Sequence, residues 1–209
     1  MYENVREEIL PANTVLIAGG GPIGLLLAIV LSHHGTRSVL LERNLTTTKW
    51  PKMDLTNARS MEMMRRLGLS DSIRALGVPP GISFKVLISS GLAAKDPITK
   101  WLLPSVDDFT ARINGTNDGT QPREPWQRIS QIVFEAWIKE RCEKDSMVDA
   151  RYGWKVTHVE EVDGKVETTA TMLSTGETTK FVSEYAVGCD GASSIVRKSL
   201  DIPLDGGPV

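Results

Sequence analysis

Cysteine is scarce in this chain. Two residues, Cys142 and Cys189, do not make a disulfide framework, so a reducing compartment is expected. There is no basic excess either. Lys and Arg number 24 against 26 Asp and Glu, a net charge of -2, which leaves no positive field for a nucleic-acid backbone or an anionic membrane. The apolar run Ile23 to Leu31 is far shorter than the roughly 20 residues that span a bilayer, and its flanking glycines suit a buried helix. The opening MYENVREEILPAN is charged and has no signal-peptide core, so no membrane span and a cytoplasmic location are expected. The sequons at Asn44 and Asn114 are then chance matches. His33, His34 and His158 have no neighbours at metal-ligand spacing, which argues against a metal site. Ser193 and Ser194 have no nearby base, which argues against a serine hydrolase. Both cysteines are expected to serve packing.

The bulk composition, 41% hydrophobic and 24% charged, is that of a soluble globular protein. Its length fits one domain, or one and a small part of another. Thr14 to Ala18 reads as a short buried strand, and Ile23 to His34 as a helix packed on a sheet, ended by Gly35. Ser38 to Leu41 is a second strand. Thr46 to Asp54 is a polar loop, and Thr56 to Leu67 has helical spacing with Ala58, Met61, Met64 and Leu67 on one side. Phe84 to Ser89 and Lys100 to Leu103 read as strands. Asp107 to Pro125 reads as a long irregular loop. Ser130 to Cys142 reads as a helix with Ser130 as N-cap and an apolar stripe of Ile129, Ile132, Val133, Ala136 and Trp137. Tyr152 to Val162, Lys165 to Leu173 and Thr179 to Val187 read as β-structure joined by the turns Asp163-Gly164 and Thr175-Gly176. No internal repeat is evident.

Gly19-Gly20-Gly21-Pro22-Ile23-Gly24 lies between the first strand and the first helix. In such a turn the first glycine permits the tight bend. The second lets backbone approach a pyrophosphate, and the third lets helix and strand pack closely. The helix start then offers free N–H groups and the positive end of its dipole to phosphates. Glu42, followed by Arg43, ends the second strand 18 residues past Gly24, close to the spacing of about 20 for an acid that binds ribose hydroxyls. The order of strand, turn, helix, strand and acid points to the ADP half of a dinucleotide.

Four stretches resemble the FAD-dependent aromatic hydroxylases, the class A flavoprotein monooxygenases. They are VLIAGGGPIGLLLAIVLSHHGTRSVLLER, NARSMEMMRRLGL, PWQRISQIVFEAWI and YAVGCDGASSIVRKSL. The resemblance implies that Gly19, Gly21, Pro22, Ile23, Gly24, Glu42 and Arg43 meet the ADP part of FAD. It implies that Arg59 reaches the phosphates and ribose, and that Gln131, with Arg128 nearby, meets the ribityl chain. Asp190 and Gly191 begin a second fingerprint, continued by Ser194, Val196 and Arg197, close to the pyrophosphate and associated with nicotinamide cofactors. The implied fold is α/β: a Rossmann-like FAD-binding domain with a parallel sheet and a β-meander crossover, plus a partial substrate-binding sheet. Residues 1–80 and 126–209 would form the FAD-binding parts and residues 81–125 the substrate segment, with Trp101 and Trp126 as candidate cleft walls.

After Val196-Arg197 only KSLDIPLDGGPV follows, without the third Gly-Asp fingerprint that the family carries, so the fold is expected to be truncated. Three functions stay open. One is an FAD- and NAD(P)H-dependent monooxygenase acting on an aromatic or polyketide- or terpenoid-type small molecule of secondary metabolism, with no catalytic side chain identified. Another is a flavin-free descendant that catalyses cyclisation, isomerisation or rearrangement. The last is a non-catalytic partner subunit. A homodimer or partner chain is expected over the exposed sheet.

Overall fold

A computed structural model describes residues 5–50 and 52–206. The first four residues of the charged opening segment, Pro51 of the polar loop and the last three residues of the C-terminal stretch lie outside the described residues. The chain divides into two compact units, Met1–Trp50 with Glu135–Val209, and Pro51–Phe134.

The first unit starts with β1 (Arg6–Ile9), β2 (Thr14–Ala18), α1 (Pro22–His33) and β3 (Arg37–Glu42). The second holds β4 (Leu55–Thr56), α2 (Ala58–Arg66), α3 (Ser70–Leu76), β5 (Phe84–Ile88), β6 (Thr99–Leu103), α4 (Val106–Thr116) and β7 (Gln127–Arg128). Helix α5 (Gln131–Lys144) has its first residues in the second unit and the rest in the first. There it is followed by β8 (Val148–Tyr152), β9 (Trp154–Val162), β10 (Lys165–Met172), β11 (Thr178–Ser183), β12 (Tyr185–Gly188) and α6 (Ile195–Ser199).

Two four-stranded sheets build the first unit. One is parallel, in the order β12-β2-β3-β8, with the YAVG strand beside β2. The other is the expected meander of β9, β10 and β11, to which β1 adds a parallel edge strand. Strand side chains alternate between faces. Leu16, Val39 and Leu41 from the parallel sheet therefore meet Ala170 and Phe181 of the meander in one buried cluster, with Trp154 packed edge-on to Phe181. Helix α1 packs on β2 and β3 through Leu25 and Ala28. Each such fully buried aliphatic or aromatic side chain contributes about 1.5–3 kcal/mol of transfer free energy. Arg151 on β8 binds both oxygens of Glu8 on β1 at 2.8 and 2.9 Å and also Asp149, with its guanidinium 5.6 Å from the Phe181 ring. This bidentate pair ties the first strand to the parallel sheet.

In the second unit Asn57 caps α2 by accepting from the Ser60 N–H, and Met61 and Met64 are buried as the spacing predicts. Glu124 bridges α2 and α3 through Arg65 and Arg74, and Arg74 also binds Gln127 and the Pro125 carbonyl. Strands β5 and β6 form an antiparallel hairpin.

Two sequence expectations fail here. The irregular loop expected from Asp107 is helical to Thr116. Ser105 accepts from the Asp108 N–H while the Asp108 carboxylate accepts from the Ser105 N–H, a capping box that outweighs the glycine and asparagine at the far end of the helix. The apolar stripe expected on α5 is also wrong. Val133 and Ala136 are exposed, and the buried face runs through Gln131, Phe134, Glu135, Ile138 and Cys142. Two polar residues in that face defeat a reading by hydrophobicity alone. Strand β1 and helix α3 were not anticipated. No helix among the described residues is long and apolar enough to cross a membrane.

Candidate functional site

The glycine-rich turn sits at the C-terminal edge of the parallel sheet, where α/β folds bind ligands. Gly19 has φ +108°, and a Cβ there would lie 2.5 Å from the Cys189 carbonyl oxygen. The turn is thus pressed against the end of β12. At Gly24 a Cβ would lie 1.9 Å from the Gly19 carbonyl oxygen, so the helix start closes directly on the turn. Gly21 differs from both: a Cβ there would meet nothing within 4 Å, and its φ is -76°. Neither packing nor backbone conformation within the chain requires glycine at that position. Pro22 occupies the first helical turn, where its missing N–H costs nothing. No side chain caps the helix and no acid stands in its first turn, which leaves its leading N–H groups and positive dipole end facing outward. Ile23 is 67% exposed beside them.

Glu42 is 9% exposed and reaches back to the turn. One carboxylate oxygen accepts from the Gly20 N–H at 2.7 Å. The other accepts from the Asn44 N–H at 2.8 Å and from the Asn44 side-chain amide at 2.6 Å. A carboxylate offers about four lone-pair sites, so with three in use one acceptor site remains. The Asn44 carbonyl in turn accepts from Gly153 N–H at 3.1 Å, which fastens the end of β3 to the β8–β9 junction. Arg43 is exposed and has no ion pair among the described residues.

Three residues around this acid escaped the sequence reading. Tyr152 pairs with Glu42 in the strand register. Burial first, then the negative groups around it, holds its phenol well above the ordinary tyrosine value. The Lys139 ammonium lies 4.3 Å over its ring. Glu135, buried on α5, accepts from the Thr48 N–H at 2.9 Å and holds the loop after β3. Its position four residues past Gln131, on the same helix face, was the available signal.

Asp190 follows β12 beside Gly19. Its Oδ2 accepts from the Ile195 N–H at 2.6 Å and the Val196 N–H at 3.4 Å, while its buried Oδ1 has no hydrogen-bond partner among the described residues. Gly191 has φ +82° and is open to solvent. Ser194 caps α6 by accepting from the Arg197 N–H, and the Arg197 guanidinium binds the Ile202 carbonyl. The first unit therefore brings together Gly19, Gly21, Pro22, Ile23, Gly24, Glu42, Asp190 and Gly191.

Arg59, Arg128 and Gln131 belong to the second unit. Arg59 has a side chain 71% exposed and, among the described residues, one distant pair, to Glu62 at 3.9 Å. Arg128 donates twice to Asp54, at 3.0 and 2.8 Å, and stacks 4.4 Å over the Phe84 ring. Gln131 is buried, and its N–H donates to the Met53 carbonyl at 3.0 Å. Among the described residues no cluster of three or more His, Cys, Asp or Glu could hold a metal ion.

Residues 12–208 match the family described as the FAD binding domain. The chain belongs to that family. It is 54% identical over 206 residues to the FAD-dependent monooxygenase apdD of Emericella nidulans, covering 99% of this chain and 33% of that protein. It is 27% identical to the dialkyldecalin synthase of Streptomyces rugosporus, covering 93% of this chain and 36% of that protein. The crystal structure of the flavin-dependent monooxygenase PieE, in complex with FAD and substrate, superposes with a TM-score of 0.82 at 27% identity. It covers 97% of this chain and 34% of PieE. The chain thus spans about a third of the length of the relatives it matches.

Proposed function

We propose that this FAD-binding chain carries the ADP-recognition part of an NAD(P)H-dependent monooxygenase that acts on an aromatic or polyketide- or terpenoid-type small molecule. The observation that carries the reading is Gly21. It is a glycine that the chain's own packing does not demand, set before an uncapped helix start, and a closely approaching pyrophosphate accounts for it. The fourth acceptor site on Glu42 suits a ribose hydroxyl, and Asn44 fixes the carboxylate for it. Arg43 and Arg59 are exposed cations that suit phosphate, and Pro22 and Ile23 line the helix mouth. The unpartnered Asp190 oxygen and the open Gly191 stand beside the same turn, while Arg128 and Gln131 are assigned to the ribityl side. Bound FAD would supply the redox chemistry, and these residues would hold and orient it. Residues 81–125 are assigned to the substrate segment. The two free thiols are consistent with a cytoplasmic protein. The exposed apolar hairpin supports a homodimer or partner chain.

An FAD titration of the purified chain, followed by flavin absorbance and fluorescence, tests the reading. Saturable binding is expected in the native chain, with at least tenfold weaker binding in Gly21→Val and a stability loss limited to about 1 kcal/mol for the poorer N-cap. A native chain that never takes up FAD overturns it.

The likeness to a dialkyldecalin synthase supports a second reading, in which the fold catalyses a ring closure or rearrangement with no net redox change. Product formation that persists when NAD(P)H and O2 are withheld would favour it over oxygenation.

A further inference from the structure

The second unit carries a cleft of about 400 Å³ between the β5–β6 hairpin and α4, within the size range of small-molecule sites. Its walls are apolar: Leu102, Leu103 and Pro104 from the end of the hairpin and the Phe109 ring from the helix. Two cations border it, Lys85 on β5 and Arg112 on α4. Neither has an ion pair among the described residues, although the chain as a whole carries a net charge of -2. The one acid in the lining, Asp108, is turned onto Ser105, whose N–H and hydroxyl it accepts at 3.0 and 2.7 Å. Two cations against one carboxylate leave the cleft a net positive edge over an apolar floor. Arg112 is held near the ring, with its guanidinium 5.7 Å from the Phe109 centroid, and Phe109 itself packs on Trp126.

We propose that this cleft binds an amphipathic organic anion, an aromatic or other apolar body bearing a carboxylate, sulfonate or acidic phenol. The apolar body lies on Leu102, Leu103 and Phe109, and the anionic group is shared by Lys85 and Arg112. An uncharged ligand of the same shape gains only the apolar contact. A cationic one meets two like charges at the cleft edge, opposed by the single Asp108 carboxylate. This inference rests on charges and surfaces within the second unit alone and holds whether or not the first unit takes FAD.

The full chain is titrated with anilinonaphthalene sulfonate and, in parallel, with N-phenylnaphthylamine, which lacks the sulfonate. The sulfonate is expected to saturate a single site and to bind about tenfold more weakly in the Lys85→Gln/Arg112→Gln double variant, the sum of two exposed charge contacts. The uncharged probe is expected to change less than about twofold. Both cations are exposed, so the thermal midpoint stays put, and Leu102→Asp supplies an independent variant that weakens both probes. A sulfonate titration that does not saturate overturns the proposal, as does one that is equally tight in the double variant. Equal weakening of both probes by the double variant also overturns it.

Discussion

Strand β2 is buried along its whole length, whereas β6 shows four of its five residues to solvent. Both are short strands with apolar side chains; β2 leads into the glycine-rich turn and β6 carries Trp101. The difference lies in what covers them. β2 has a parallel neighbour on each side, α1 on one face and the meander on the other. The β5–β6 hairpin is a sheet of two strands, with Leu87, Ile88, Trp101 and Leu102 exposed, and an isolated two-stranded hairpin is marginal in water. The glycine-rich turn is thus held by the first unit's own packing. The hairpin's apolar side chains are left for contacts beyond its two strands.

The steepest test of that contrast is Gly24→Ala. The added Cβ would collide with the Gly19 backbone carbonyl, which cannot swing aside as a side chain can. A loss of about 3 kcal/mol or more is expected from chemical denaturation. A variant that denatures like the native chain would show that the turn is looser than its distances indicate.

A smaller effect comes from pH. Cys142 is fully buried on α5, with its thiol donating to the Leu25 carbonyl. Burial first, then Asp145 and Glu143, pushes the thiol from 9.0 up to about 12. In the unfolded chain it ionises near 9, while in the folded chain it stays neutral. Its contribution is therefore complete below pH 9 and is lost as pH rises toward 12, at up to about 1.4 kcal/mol per pH unit. Tyr152 adds its own loss only above its ordinary value of 10.0. Urea midpoints between pH 9 and 10 should fall in the native chain and fall less in Cys142→Ala. Parallel slopes would rule out a buried neutral thiol.

The smallest effect is expected on the hairpin. Leu87→Ser removes an apolar side chain that is 60% exposed and should move stability by no more than about 0.5 kcal/mol while reducing self-association in light scattering. A loss of several kcal/mol would mean that the hairpin is packed more like β2 than its exposure indicates.

Much of the fold was legible because its signals are local. A β-branched apolar strand followed by glycines, the Glu42 spacing and the turns at Asp163-Gly164 and Thr175-Gly176 each fix an element within a few residues. The capping box at Ser105 was local too, but its glycine- and asparagine-rich far end concealed it. The buried face of α5 was not legible. The sequence assigned Gln131 to a cofactor and said nothing of Glu135, whose partner, the Thr48 N–H, lies 87 residues away.

The candidate site divides in the same way. The sequence by itself determined that a glycine-rich turn between strand and helix, a strand-end acid and an Asp-Gly turn were present, because each depends on backbone conformations that only particular residues allow. Only the tertiary structure decided that the Gly20 N–H and Asn44 hold the two oxygens of Glu42, that Tyr152 and Glu135 stand around it, and that Gly19 and Gly24 serve the chain's own packing while Gly21 does not. Most of those outcomes depend on which atoms meet across long separations, as between Gly20 and Glu42, Glu42 and Tyr152, or Gly19 and Cys189. Burial and hydrogen-bond satisfaction, properties of the assembled core and not of any segment, settle them.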